Sequence, residues 1–186
     1  MAGPVTLYDQ ILSDCMRTLG PDHPDTLAFR GFLAQRRGER GDAIGAVVAQ
    51  RELLADYLRI LGPRHPDTLI TRGNIIRWRA QLGDATGAVA AQEQLLADCL
   101  QLLGPDHPDT MAARSNLAFL HGTAGDANSA VSLYETVLVE DLRVLGPGHP
   151  ETSATRNNLR HWRTVAGQAP ARPRLSWPPS VPPTTR

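Results

Sequence analysis

Residues 19–27 read LGPDHPDTL, and the nonapeptide returns as LGPRHPDTL at 61–69, LGPDHPDTM at 103–111 and LGPGHPETS at 145–153. A fixed spacing of 42 residues is the signature of a repeat architecture, so it is read before anything else. Each part of the nonapeptide has a local job. Leu-Gly ends a helix, because glycine accepts the left-handed backbone of a helix C-terminus. His-Pro-Asp-Thr starts the next one: proline suits the first helical position, and aspartate complements the positive helix end. His23, His65, His107 and His149 are each displaced by one repeat, so they form a row and cannot converge on one metal, whose ligands lie about 2.0–2.1 Å from a common centre. A helix-capping joint is the reading.

Working outward from the joint gives three full units, 19–60, 61–102 and 103–144, preceded by a lone second helix within 1–18 and followed by a terminal half repeat at 145–167. Each full unit reads as two helices. The first closes at a Gly-Asp pair, Gly41–Asp42, Gly83–Asp84 or Gly125–Asp126, where the aspartate caps the second. The second carries an apolar stripe at steps of three and four, for example Ala130, Tyr134, Val137, Leu138, Leu142 and Leu145, which marks one buried face. Residues 168–186 hold six prolines in nineteen positions, a composition that favours an extended, disordered tail. The alternative to a solvated tail is that Leu175 and Trp177 fold back over the final helix or lie in the groove as a self-ligand.

Composition narrows the function classes. The formal charge of the 186 residues is zero, so bulk charge predicts neither nucleic acid nor membrane. No apolar run approaches the ~18 residues needed to span a bilayer, and "MAGPVTLYDQ" has neither a basic leader nor an apolar signal core; cytoplasm is the default. All nineteen basic side chains are arginine and none is lysine, which we read as the codon usage of a GC-rich bacterial genome. Cys15 and Cys99 lie 84 residues, two whole periods, apart; stacked repeats would hold them beyond the ~7 Å that a disulfide tolerates, so they read as buried thiols. No phosphate-cradling loop, metal-spaced Cys/His cluster or nucleophile–base pair stands out. No enzyme, metal or cofactor is expected.

Helical hairpins at this period, with "RSNLA", "AGD" and "LYETVL" in order, resemble the tetratricopeptide repeat, and in particular its 42-residue variety in kinesin light chains. In the third unit Leu117, Ala118, Gly125, Ala130, Tyr134 and Val137 match the family pattern; Gln50 and Gln92 depart from the aromatic of Tyr134, and Ile76 stands where a small residue is usual. The resemblance implies an all-α fold, a right-handed α-solenoid of eight helices in stacked antiparallel hairpins, whose first helices line a concave groove.

Charge is sorted by helix type. The first-helix bodies (27–40, 69–82, 111–124, 153–166) hold eleven arginines and one acid, Glu39; the second helices (1–18, 42–60, 84–102, 126–144) hold twelve acids and four arginines. A structural ladder accounts for part of this: Arg30, Arg72, Arg114 and Arg156 each follow an acid, Asp14, Asp56, Asp98 and Glu140, by sixteen residues, and are expected to pair with it. The remainder, Arg36, Arg37, Arg77, Arg79, Arg160, Arg163, His121 and His161, form a candidate ligand-facing patch. Asn74, Asn116 and Asn158 form a column that reads Phe32 in the first unit. In family members that bind extended peptides, Asn at the matching position often bonds the ligand backbone, since an amide offers donor and acceptor together; the alternative is a bond to a neighbouring helix.

The expected groove residues are therefore Asn74, Asn116, Asn158, Arg36, Arg77, Phe119, His161 and Arg163. The expected partner is an acidic, extended peptide or protein segment, bound by a non-catalytic interaction scaffold. One alternative is nucleic acid tracked by the arginines; another is an oligomerisation or sensor segment of a larger regulatory protein, with self-association through the exposed first helix. No membrane partner is expected.

Overall fold

The computed structural model describes residues 7–167. Eight helices account for nearly all of them: α1 Leu7–Thr18, α2 Pro24–Glu39, α3 Ala43–Ile60, α4 Pro66–Gln81, α5 Ala85–Leu103, α6 Pro108–Thr123, α7 Ala127–Val144 and α8 Pro150–Gly167. No strand occurs among the described residues. The Pro-rich segment 168–186, with Leu175 and Trp177, lies outside them.

The nonapeptide is the joint its chemistry implies. Gly20, Gly62, Gly104 and Gly146 take φ between 83° and 94°, a region closed to most side chains. His23, His65 and His107 cap the following helix, each Nδ1 accepting the backbone N–H of Asp25, Asp67 or Asp109 at 3.2 Å. His149 accepts that of Glu151 at 3.2 Å. The threonine of the motif is fully buried in all four copies, and in two of them its hydroxyl reaches back across the joint: Thr68 donates to the Gly62 carbonyl and Thr152 to the Gly146 carbonyl, both at 2.8 Å. The other joint follows the same logic. Asp42, Asp84 and Asp126 accept the N–H of Gly45, Gly87 and Ser129 at 2.8, 3.1 and 3.0 Å, closing orphan donors at each helix start.

The chain divides into two compact units between Leu82 and Gly83. In the first, α1 packs on α2, α2 on α3 and α3 on α4, and α2 also touches α4. Its core is built from Leu27, Leu53 and Tyr57 beside Leu61, and from Ala46, Val47 and Trp78 beside Ala43. In the second unit α5 packs on α6, α6 on α7 and α7 on α8, with α6 touching α8. Its core joins Ala118, Phe119, Ala130, Tyr134, Leu159 and Trp162. Small residues permit the close approach of first helices. A Cβ on Gly38 would stand 2.4 Å from the Trp78 ring, and one on Gly122 would stand 2.4 Å from the Trp162 ring.

The arginine ladder exists with a different partner from the one expected. Arg30 donates to Asp56 and Arg114 to Glu140, each at 2.7 Å and twenty-six residues ahead; Asp14 pairs with Arg17 on its own helix instead. The cause is the hairpin. Antiparallel helices within one unit bring the late second helix level with the early first helix, and Arg114 and Arg156 are further pinned by donating to the Pro105 and Pro147 carbonyls at 3.0 Å. Hydrogen bonding from Arg30 holds the Asp56 carboxyl below its ordinary range despite partial burial. The departures Gln50 and Gln92 are accommodated by hydrogen bonding: both are buried, Gln92 donates to the Ala113 carbonyl at 2.9 Å and Gln50 to that of Gly31 at 3.5 Å. Cys15 is half-buried and Cys99 buried, and the two form no disulfide.

Candidate functional site

Helix α4 presents Asn74 half-buried, and its amide takes no hydrogen-bond partner among the described residues. One turn on, Arg77 is only 8 % exposed. Its guanidinium lies 4.3 Å from the centre of the Trp78 ring, and Nε and Nη2 have no acceptor among the described residues. Desolvation pushes its pKa down while Glu39 on α2 pulls it back up. Arg77 is thus a buried, stacked cation and not an open groove charge. On α2, Arg36 is exposed, rests over Phe32 at 5.4 Å and donates to Glu39 at 3.1 Å. Gln35 donates to the same carboxylate at 2.9 Å, and these two bonds hold its pKa down.

In the second unit Asn116 on α6 is half-buried and, among the described residues, its amide is likewise without a hydrogen-bond partner. Asn158 on α8 is half-buried beside the Tyr134 hydroxyl, which also faces Ser115. Burial pushes the Tyr134 pKa upward, and neither neighbour makes a well-formed hydrogen bond to it. His161 packs its edge against Trp162 at 4.9 Å, with its buried Nε2 unpartnered among the described residues. Phe119, expected on the ligand-facing wall, is a packing residue at 6 % exposure in the core cluster with Ala118, Ala130, Tyr134, Leu159 and Trp162. Arg163 is exposed but reaches back to Glu135 on α7, Nη2 to Oε1 at 2.7 Å.

The sorted charge is therefore matched between neighbouring helices to a large extent. Arg30, Arg37, Arg114 and Arg163 all bond carboxylates of Asp56, Asp42, Glu140 and Glu135 on or capping the neighbouring second helix. Sequence reasoning missed the Tyr134–Ser115–Asn158 contact; the signal was the coincidence of an aromatic with a polar column in one unit only. Among the described residues no group of His, Cys, Asp and Glu could hold a metal ion, and no helix is long and apolar enough to cross a membrane.

Comparison with known proteins rests on the same elements. Profiles of the tetratricopeptide repeat match residues 26–67 and 67–138. The chain carries tetratricopeptide repeats. Two crystal structures of a Podosopora anserina kinesin light chain-type protein, built of nearly identical TPR-like repeats, superpose with TM-scores of 0.69 and 0.68. Both are 27 % identical, over 88 % of this chain and 77 % of theirs. BtubC (BKLC) of P. vanneervenii superposes with a TM-score of 0.68 over 96 % of this chain and 79 % of its own, at 17 % identity, a likeness of fold. No curated protein sequence matches. Repeats of this kind imply a scaffold for protein–protein interaction.

Proposed function

We propose that the chain is a non-catalytic scaffold whose first helices hold an extended protein segment of acidic character. The observation that carries this reading is the half-buried Asn116 amide on α6, left without a hydrogen-bond partner among the described residues; Asn74 on α4 offers the same feature in the first unit. An amide not engaged within the fold remains available to a ligand, and an extended peptide backbone offers it an acceptor and a donor. Asn158 and the orphan Nε2 of His161 extend the same character along α8. Arg36, exposed at the surface of α2, supplies the preference for acidic side chains. With Arg30, Arg37, Arg114 and Arg163 already bonded to carboxylates, hydrogen bonding to a backbone fits better than tracking of phosphates.

The test is a display selection of random peptides on the purified chain, followed by fluorescence anisotropy with the selected peptides. Replacing Asn116 by Ala removes one hydrogen bond, about 1 kcal/mol or roughly fivefold in Kd; Asn74→Ala behaves alike, and Arg36→Glu weakens acidic peptides with a reduced salt dependence. Peptides that bind both Asn variants as tightly as the parent, or a selection without acidic enrichment, would refute the reading.

A further inference from the structure

One edge of the first unit departs from the repeat pattern. The column shared by Leu53, Leu95 and Val137 is 1 %, 4 % and 3 % exposed, whereas Ile11, the same column in α1, is 37 % exposed. Leu7, one turn earlier on the same stripe, is 69 % exposed, and α1 contains no buried residue. Beside it, α2 carries two aromatics found in no other copy. Phe29 stands where Thr71, Ala113 and Thr155 stand, and Phe32 where Asn74, Asn116 and Asn158 stand. Tyr8 meets Phe32 edge-on at 5.8 Å and Phe29 stacks on Phe32 at 5.9 Å, yet Phe32 remains 41 % exposed.

The α1–α2 edge exposes Leu7, Ile11 and Phe32. Its charge is placed at two ends. Helices α1 and α2 run antiparallel from the joint at 19–23, with Asp14 near the joint and Arg36 over Phe32 at the far end. Each has only an exposed partner three residues away on its own helix, Arg17 for Asp14 and Glu39 for Arg36, pairs weak enough to re-form with a new neighbour.

We propose that a second copy of this chain docks on that edge, forming a two-fold dimer through α1 and α2. A self-complementary surface is what two-fold association requires. An axis through the middle of the strip lays the Leu7–Ile11–Phe32 surface on its own image and brings each Arg36 beside the Asp14 of the other copy. The dimer shares Arg36 with the peptide-binding reading but not Asn74 or Asn116, so Asn74→Ala and Asn116→Ala, which lower peptide affinity and leave the monomer–dimer equilibrium unchanged, separate the two.

Sedimentation velocity of the full chain under reducing conditions, from micromolar to submillimolar concentration, tests it. The expected result is a concentration-dependent monomer–dimer equilibrium. Ile11→Glu shifts it to monomer, and Phe32→Asn, which installs the residue carried by the other three copies, does the same with unchanged helical circular dichroism. Asp14→Arg or Arg36→Asp alone weakens the dimer by about tenfold through like-charge contact; the double variant restores it, because the exchanged charges meet again across the axis. A wild-type chain that stays monomeric throughout, or a dimer indifferent to Phe32→Asn, overturns the proposal. A double variant no tighter than either single one overturns the two-fold geometry.

Discussion

Gly122→Ala is the substitution whose outcome the packing of first helices decides. In an isolated helix alanine is favoured over glycine by about 1 kcal/mol, so propensity alone predicts a stabilised protein. The structure predicts the reverse. An added Cβ would stand 2.4 Å from two atoms of the Trp162 ring and 2.6 Å from a third, so the indole must retreat by roughly 1 Å to reach ordinary carbon–carbon contact. It has nowhere to go: Trp162 is 1 % exposed and enclosed by Ala118, Phe119, Ala130, Tyr134 and Leu159. Overpacking of this kind costs about 1–3 kcal/mol, leaving a net loss of up to about 2 kcal/mol once propensity is credited, or a fall in Tm of up to roughly 4–8 °C. The chain contains its own control, since the positions forty-two residues earlier read Ala80 and Leu120. Trp162→Leu should therefore relieve Gly122→Ala, and in a double-mutant cycle followed by thermal and urea denaturation the pair should be more stable than the sum of the singles by at least about 1 kcal/mol. Gly148→Ala, where nothing lies within 4 Å, should change stability by less than about 0.5 kcal/mol. A Gly122→Ala protein more stable than the parent, with an additive cycle, would refute the reasoning.

Asp141 occupies the column of Tyr57 and Cys99, is 3 % exposed and accepts the Thr155 hydroxyl at 2.6 Å; burial raises its pKa, against the pull of Thr155 and His149. Its contribution to stability is therefore fully present below the unfolded value of about 3.9 and is lost as pH rises through the higher folded value. Asp141→Asn should gain on the parent as pH rises from mild acid to neutrality in paired melts, and a pH-independent difference would count against this. Replacing the cap His107 by Ala should cost about 0.5–2 kcal/mol while His107→Asn retains most of the stability, as urea midpoints would show. Arg77→Met should leave the protein as stable or more so, because it removes a desolvated cation without an acceptor for Nε and Nη2 among the described residues; a large loss in Tm would mean the guanidinium has a partner of structural importance.

How much could be read without coordinates differs sharply between elements. Helix limits were legible to within a few residues, because each is set by a local requirement: glycine at positive φ, a capping Asp or His, proline in the first turn. The joint was legible for the same reason, down to the capping role of its histidine. The arginine ladder was legible as a column but not as a pairing. Arg30 lies at a similar level to acids on both flanking helices, and only the packing of α2 against α3 selects Asp56 over Asp14. Of the groove residues, Asn74 and Asn116 kept open amides, whereas Phe119 turned inward and Arg163 was drawn to Glu135.

The sequence by itself determined the forty-two-residue period, the all-helical hairpins and the chemistry of every turn, since these depend on backbone preferences acting over a few residues. Tertiary structure alone decided which polar side chains remain available, which carboxylate each guanidinium meets and which apolar column stays uncovered on α1. Those outcomes depend on the distance and rotation between neighbouring helices. These are set by the summed fit of side chains far apart in the chain, Gly122 against Trp162 among them, and no local pattern specifies them.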